Sequence, residues 1–264
     1  MNTSITIAKK CRGALLVLAL LFSAVQGYAQ KTRGWELEKM PVSLETDFAL
    51  SALPPQLRPN ATVYLLDPRK GYYVARKGSN GFICYVTRTG WEWGAFRQDD
   101  AAAIAYDAEG ARTIFPVEMD VAAMRASGKF TALQIRNIVL DRIRKGIYKA
   151  PARAGISYML APVMRVYPGK PDRDEVMTMN MPHYMFYAPY VTNTDIGNIP
   201  DGKADGPVVI NPGAMWLGER KSPYGYIILP VGATQKAKIM NDNKALLKRL
   251  IEYKAYFKAA PGMM

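Results

Sequence analysis

The chain has 264 residues, 35 Lys and Arg against 22 Asp and Glu, a formal net charge of +13, a single histidine and two cysteines. That inventory leaves a standard zinc site short of ligands: there is no His-Glu-x-x-His and no Cys-x-x-Cys. Gly-x-Ser-x-Gly, Ser-x-x-Lys, Walker and Rossmann glycine patterns are also missing, which argues against the common acyl-transfer and nucleotide-binding designs.

The chain opens on Lys9, Lys10 and Arg12, then the 11-residue apolar run Ala14–Ala24, then Gly27-Tyr28-Ala29. This is the pattern of a secretory leader, with cleavage expected after Ala29. The apolar run is shorter than the ~20 residues a spanning helix needs. Residues 30–264 are then expected to form a single globular α+β domain, periplasmic or extracellular, with Cys84 as its only cysteine and no disulfide. The leader takes three of the positive charges with it, leaving +10 of the +13. Outside the cytoplasm such a charge points to an anionic envelope component or an acidic small molecule, not to nucleic acid.

In chain order, Ser43–Leu53 reads as a helix with Ser43 as cap and Pro54-Pro55 as its stop. Ala61–Leu66, Tyr72–Arg76 and Gly81–Thr87 read as strands. Asn80-Gly81 predicts a hairpin between the last two, because both positions tolerate positive φ. The short connections predict antiparallel pairing. The alanine-rich segment Asp99–Gly110 reads as containing a short helix. Met119–Ala126 and Thr131–Lys145 read as helices, the second capped by Thr131 and ended by Gly146. Ile156–Ala161, Met164–Tyr167, Pro207–Ile210 and Tyr226–Leu229 read as strands. Gln235–Ala259 reads as one amphipathic helix with Leu246, Leu250, Tyr253 and Phe257 in a stripe. The sum is a mainly antiparallel sheet with a few packed helices and a C-terminal amphipathic helix.

The segment Met177–Tyr190 carries the only histidine. If it is extended, Met177, Met179, Met181, His183 and Met185 share one face. Tyr158-Met159-Leu160-Ala161-Pro162 echoes Tyr184-Met185-Phe186-Tyr187-Ala188-Pro189 with two residues inserted. These blocks, together with Asn80-Gly81-Phe82 and Gly155-Ile156-Ser157-Tyr158-Met159-Leu160, resemble a family of signal-peptide-bearing exported bacterial proteins. The resemblance implies export and brings no reaction, cofactor or catalytic residue.

Three functions are compatible with these residues. The first is an exported soluble ligand-binding or envelope-interaction protein, with Trp91, Trp93, Tyr184, Tyr187 and Tyr190 as recognition surface. The second is an exported hydrolase with His183 as base and Asp195 or Glu118 as its carboxylate partner. The third is Cu(I) handling by Met177, Met179, Met181 and His183, since soft thioethers select that ion; the other two need no cofactor. A Cys84–His183 dyad is weighed against an apolar strand setting that favours an inert thiol. Asp201–Gly206 imitates half a calcium loop, but Lys203 and Pro212 stand where acidic ligands are needed.

Overall fold

The computed structural model describes residues 37–169, 175–198 and 207–259. The expected leader and the Asp201–Gly206 segment lie outside these. The first helix, α1 (Val42–Ser51), starts at Pro41 without a side-chain cap, so Ser43 sits inside the helix and not at its mouth. Phe48, Ala49, Ala52 and Leu53 drive it onto one face of the sheet.

The sheet contains β1 (Thr62–Asp67), β2 (Gly71–Arg76), β3 (Ile83–Thr87), β4 (Ala102–Tyr106), β5 (Ile156–Met159), β8 (His183–Tyr187), β9 (Val208–Ile210) and β10 (Tyr226–Pro230). Their order is β2-β1-β3-β4-β5-β8-β10-β9. Pairing is antiparallel except between β1 and β3, which run parallel through Thr62↔Ile83 and Val63↔Cys84. Asn80-Gly81 therefore makes no hairpin. The backbone N–H groups of Ser79 and Asn80 both donate to the Asn60 carbonyl, and the turn carries the chain past the end of β1. The architecture is α+β with a mainly antiparallel sheet.

Most of the alanine-rich segment is the strand Ala102–Tyr106, and the expected short helix begins only at Ala108. Ala101, Ala103 and Ala105 alternate onto the face beneath α1, where small side chains leave the helix room to approach. Here packing overrides the strong helix propensity of alanine. The helix follows later, as α2 (Ala108–Thr113), capped by Asp107. Next come α3 (Phe115–Ala126) and α4 (Ala132–Arg144), whose N-terminus is a capping box: Thr131 Oγ1 accepts from Gln134 N while Gln134 Oε1 accepts from Thr131 N. With α2 and α3, Tyr72, Tyr85, Tyr106, Phe115 and Tyr187 form a second core on the opposite sheet face.

Strand β5 continues through a bend into β6 (Met164–Val166), and β7 (Met177–Met179) through another into β8. The pairs Met159↔His183 and Tyr158↔Tyr184 become Met164↔Met179 and Arg165↔Thr178 across the bend. The two echoing segments are thus neighbours: Tyr158 and Tyr184 stand opposite each other with ring centroids 5.7 Å apart.

After the short helix α5 (Ala214–Leu217), the expected single C-terminal helix is broken at Asn243 into α6 (Ala233–Asp242) and α7 (Lys244–Tyr253), followed by a 3-10 turn. Leu246, Leu250 and Phe257 still form the buried stripe, and Phe257 meets Phe48 edge to face at 5.8 Å. Four of the segment's seven basic side chains are in ion pairs. Lys238 pairs with Asp242, Lys248 with Glu252, Arg249 with Asp47 and Lys254 with Glu38. Among the described residues, no helix is long and apolar enough to cross a membrane.

Candidate functional site

His183 is 2% exposed. Its Nδ1 lies 2.7 Å from the Met181 carbonyl oxygen, which can only accept, so Nδ1 carries the proton and Nε2 the lone pair. Burial pulls the imidazole pKa down and keeps the ring neutral; the Met181 carbonyl works weakly the other way. Neither proposed carboxylate partner is beside it. Asp195 belongs to the 3-10 turn Thr194–Ile196, where its carboxylate accepts from Thr192 N and Oγ1, both at 2.8 Å. Glu118 lies on α3. Neither the His183–Asp195 pair nor the His183–Glu118 pair is hydrogen-bonded. Cys84 is fully buried on β3, which β4 and β5 separate from β8, about 14 Å at ordinary strand spacing. Burial pushes its thiol up to about 12, so the thiol–imidazole dyad is ruled out.

The methionine row does not form one extended strand. Met177 and Met179 lie on β7, which pairs with β6 in a separate two-stranded sheet, while His183 and Met185 lie on β8 of the main sheet and Met181 falls in the bend between them. Thr178 and Arg165 bond the Tyr256 carbonyl, so Met177 and Met179 face away from the α1–α7 core.

The tyrosines and tryptophans scatter. Trp91 is buried against Val117, Ile135 and Leu140. Trp93 is stacked edge-on to Trp216 at 6.1 Å, and the Gly169 backbone covers its ring so closely that any Cβ would fall within it. Gly169 also has φ +61°, so Gly169→Ala is expected to cost about 2 kcal/mol or more in an urea unfolding titration. Tyr187 is buried, donating to Asp107 Oδ1, while Tyr184 faces the other side and bonds Gln235. Of the five aromatic candidates, Tyr190 alone is largely exposed, at 52%.

Tyr190 borders a cleft of about 360 Å³ lined also by Ile143, Arg144, Tyr148, Lys149, Leu217 and one carboxylate, Glu219. It holds φ +62°, a left-handed conformation that costs a bulky residue about 1–2 kcal/mol. Its N–H donates to the Ser222 carbonyl, which pins the turn. The hydroxyl of Tyr224, close to Tyr148 and Tyr190, is buried without a hydrogen-bond partner. Arg144 and Lys149 bond only backbone carbonyls, those of Trp216 and Gly146, and neither has an ion pair among the described residues. Arg144, Tyr148 and Lys149 carry no recognisable sequence signal; they sit at the end of α4, and only the fold brings them to Tyr190.

A second polar cluster was equally invisible. Glu92 from the loop after β3, Asp100 from the entry to β4, and Glu118 from α3 are near enough to act on one another. Burial, reinforced by Glu92 and Asp100, pushes Glu118 up to about 7, and its Oε2 is buried without a partner. Burial and Asp99 push Asp100 up to about 7 against the pull of Arg125. Glu92 is raised by burial and accepts from Gly213 N at 2.7 Å. Three His, Cys, Asp or Glu side chains are nowhere close enough to hold a metal ion among the described residues.

Comparison with known proteins returns no match: no family model fits the chain, and neither a curated protein nor a solved structure resembles it. Function therefore has to be argued from these sites alone.

Proposed function

We propose that this is an exported ligand-binding protein whose cleft beside Tyr190 takes a small anionic ligand. The observation that carries the reading is the cleft's composition. Two tyrosines offer amphipathic faces, and Arg144 and Lys149, neither in an ion pair among the described residues, outnumber the single lining carboxylate, Glu219, and offer charge-assisted bonds. The strained backbone at Tyr190 supports it, because such strain persists where a side chain must be held in place. The excess of positive charge on the chain favours anions at long range.

Calorimetric titration with glucuronate and benzoate, against glucose and benzyl alcohol as neutral counterparts, tests this. The anions are expected to bind and the neutral compounds not. Arg144→Ala and Lys149→Ala should each weaken binding ~10-fold or more, the worth of one charge-assisted bond. Tyr190→Gly should also lose affinity while holding or raising the melting temperature, since it relieves the left-handed strain. Equal binding of neutral and anionic probes, or full affinity in both cation variants, would sink the reading.

One observation favours a second reading, acid–base catalysis. Glu118 and Asp100 both titrate near neutral pH, where a general acid or base works best. This role would fall to Glu118, in place of His183.

A further inference from the structure

We propose that His183, Met159 and Met185 form a Cu(I) site on the sheet face away from α1. Met159 stands directly across from His183 in the β5–β8 pair, and directly opposed residues in an antiparallel pair share a face with Cβ atoms about 5 Å apart. Met185 is two residues along β8 on that same face, about 7 Å away. The three side chains are thus grouped around one point, with Met159 brought in from the neighbouring strand. Methionine has three rotatable bonds and a polarisable sulfur, so both thioethers can swing to a donor at the centre.

The imidazole is prepared for this role. With Nδ1–H engaged by the Met181 carbonyl, Nε2 is the free donor, and it makes no hydrogen bond among the described residues. A backbone carbonyl that fixes the tautomer from behind is the usual outer support of a metal-binding histidine. One nitrogen and two thioether sulfurs, with no thiolate or carboxylate in the set, match Cu(I) and suit hard divalent ions poorly. A second opposed pair of thioethers, Met164 and Met179, stands beyond the bend in the two-stranded β6–β7 sheet.

The test is anaerobic titration of the protein with Cu(I) against the competing chelator bicinchoninate, alongside imidazole NMR. Because the chain has one histidine, its ring signals report on one residue. One equivalent of Cu(I) is expected to bind and shift the Nε2 resonance, with Zn(II) causing no such shift. The volume-conserving variants Met159→Leu and Met185→Leu should each weaken uptake at least 10-fold and their combination abolish it, while Met177→Leu leaves it unchanged. Loss of all uptake to bicinchoninate, undiminished binding in the double Leu variant, or a stronger response to Zn(II) overturns the proposal. Circular dichroism of the Leu variants separates lost ligands from lost folding.

Discussion

Replacing Asp107 by Ala lowers the unfolding free energy by about 4 kcal/mol, the largest single-residue effect expected outside the apolar core. The carboxylate ties three elements together. Oδ1 accepts from Gly110 N at 2.9 Å, capping α2, and from Tyr187 Oη at 3.0 Å, reaching β8. Oδ2 accepts from Ile156 N at 2.8 Å, at the start of β5. Bonds to a charged acceptor contribute roughly 1.5–3 kcal/mol each, less than additively because one group makes all three. Two glycines make the arrangement possible. A Cβ on Gly110 would collide with the Tyr187 hydroxyl, and one on Gly155 with Asp107 Oδ2 and the Tyr187 ring. Differential scanning calorimetry should find Asp107→Ala melting roughly 10 °C lower. Asp107→Asn, which keeps one acceptor, should fall between it and the wild type. A shift of only a degree or two in the Ala variant would mean that the three elements are held together by packing alone.

Stability is expected to fall as pH rises from about 4.5 to about 7, the reverse of ordinary acid unfolding. Glu45 is the cleanest cause. It is 1% exposed in α1, accepts from Leu66 N at 2.9 Å, and burial raises its carboxyl to about 7, only partly countered by that bond and by Arg88. Its folded pKa is above its unfolded value, so the native state holds the proton more tightly. Below the unfolded pKa both states are protonated and there is no penalty. Above about 7 both are ionised, and the native state bears the cost of the buried charge, about 3 kcal/mol. Asp100 and Glu118 act in the same sense. His183, whose pKa is lowered, acts oppositely, with its contribution lost as pH falls through the imidazole range. Glu45→Gln keeps the acceptor for Leu66 N and removes the ionisation. Urea titrations at pH 5 and pH 8 should show the variant gaining about 2–3 kcal/mol at pH 8 and little at pH 5. An unchanged difference between the two pH values would locate the titration elsewhere.

Local chemistry made much of the fold legible. The capping box at Thr131 depends on residues three apart, and Gly146 ends α4 with φ +63°, both visible in a short window. The alternation survives only in pieces, Met177 with Met179 on β7 and His183 with Met185 on β8, because side-chain direction follows residue parity within a strand and not across the bend that holds Met181. What parity cannot supply is distance across strands. Met159, 24 positions away in sequence, is the residue opposite His183, and only the pairing of β5 with β8 makes it so. The early strands failed for the same reason. Asn80-Gly81 correctly marks a turn, but whether the chain then pairs with β2 or crosses to the far side of β1 is decided by contacts with α1 and β4.

The sequence by itself therefore determined the class of fold, most of the elements, and the excess of positive charge. Each follows from composition, periodicity or caps within a dozen residues. Tertiary structure alone decided that an alanine run becomes a central strand, because α1 needs a shallow surface to lie on. It broke the C-terminal helix at Asn243, paired Lys238 and Lys248 with acids one turn away, and brought Arg249 to Asp47 of α1 and Lys254 to Glu38. It also removed Trp91 and Tyr187 from the surface, left Tyr190 on it, and gathered Arg144 and Lys149 there. A cleft and a cross-strand donor set are products of long-range packing, and the residues that form them have no local pattern to announce them.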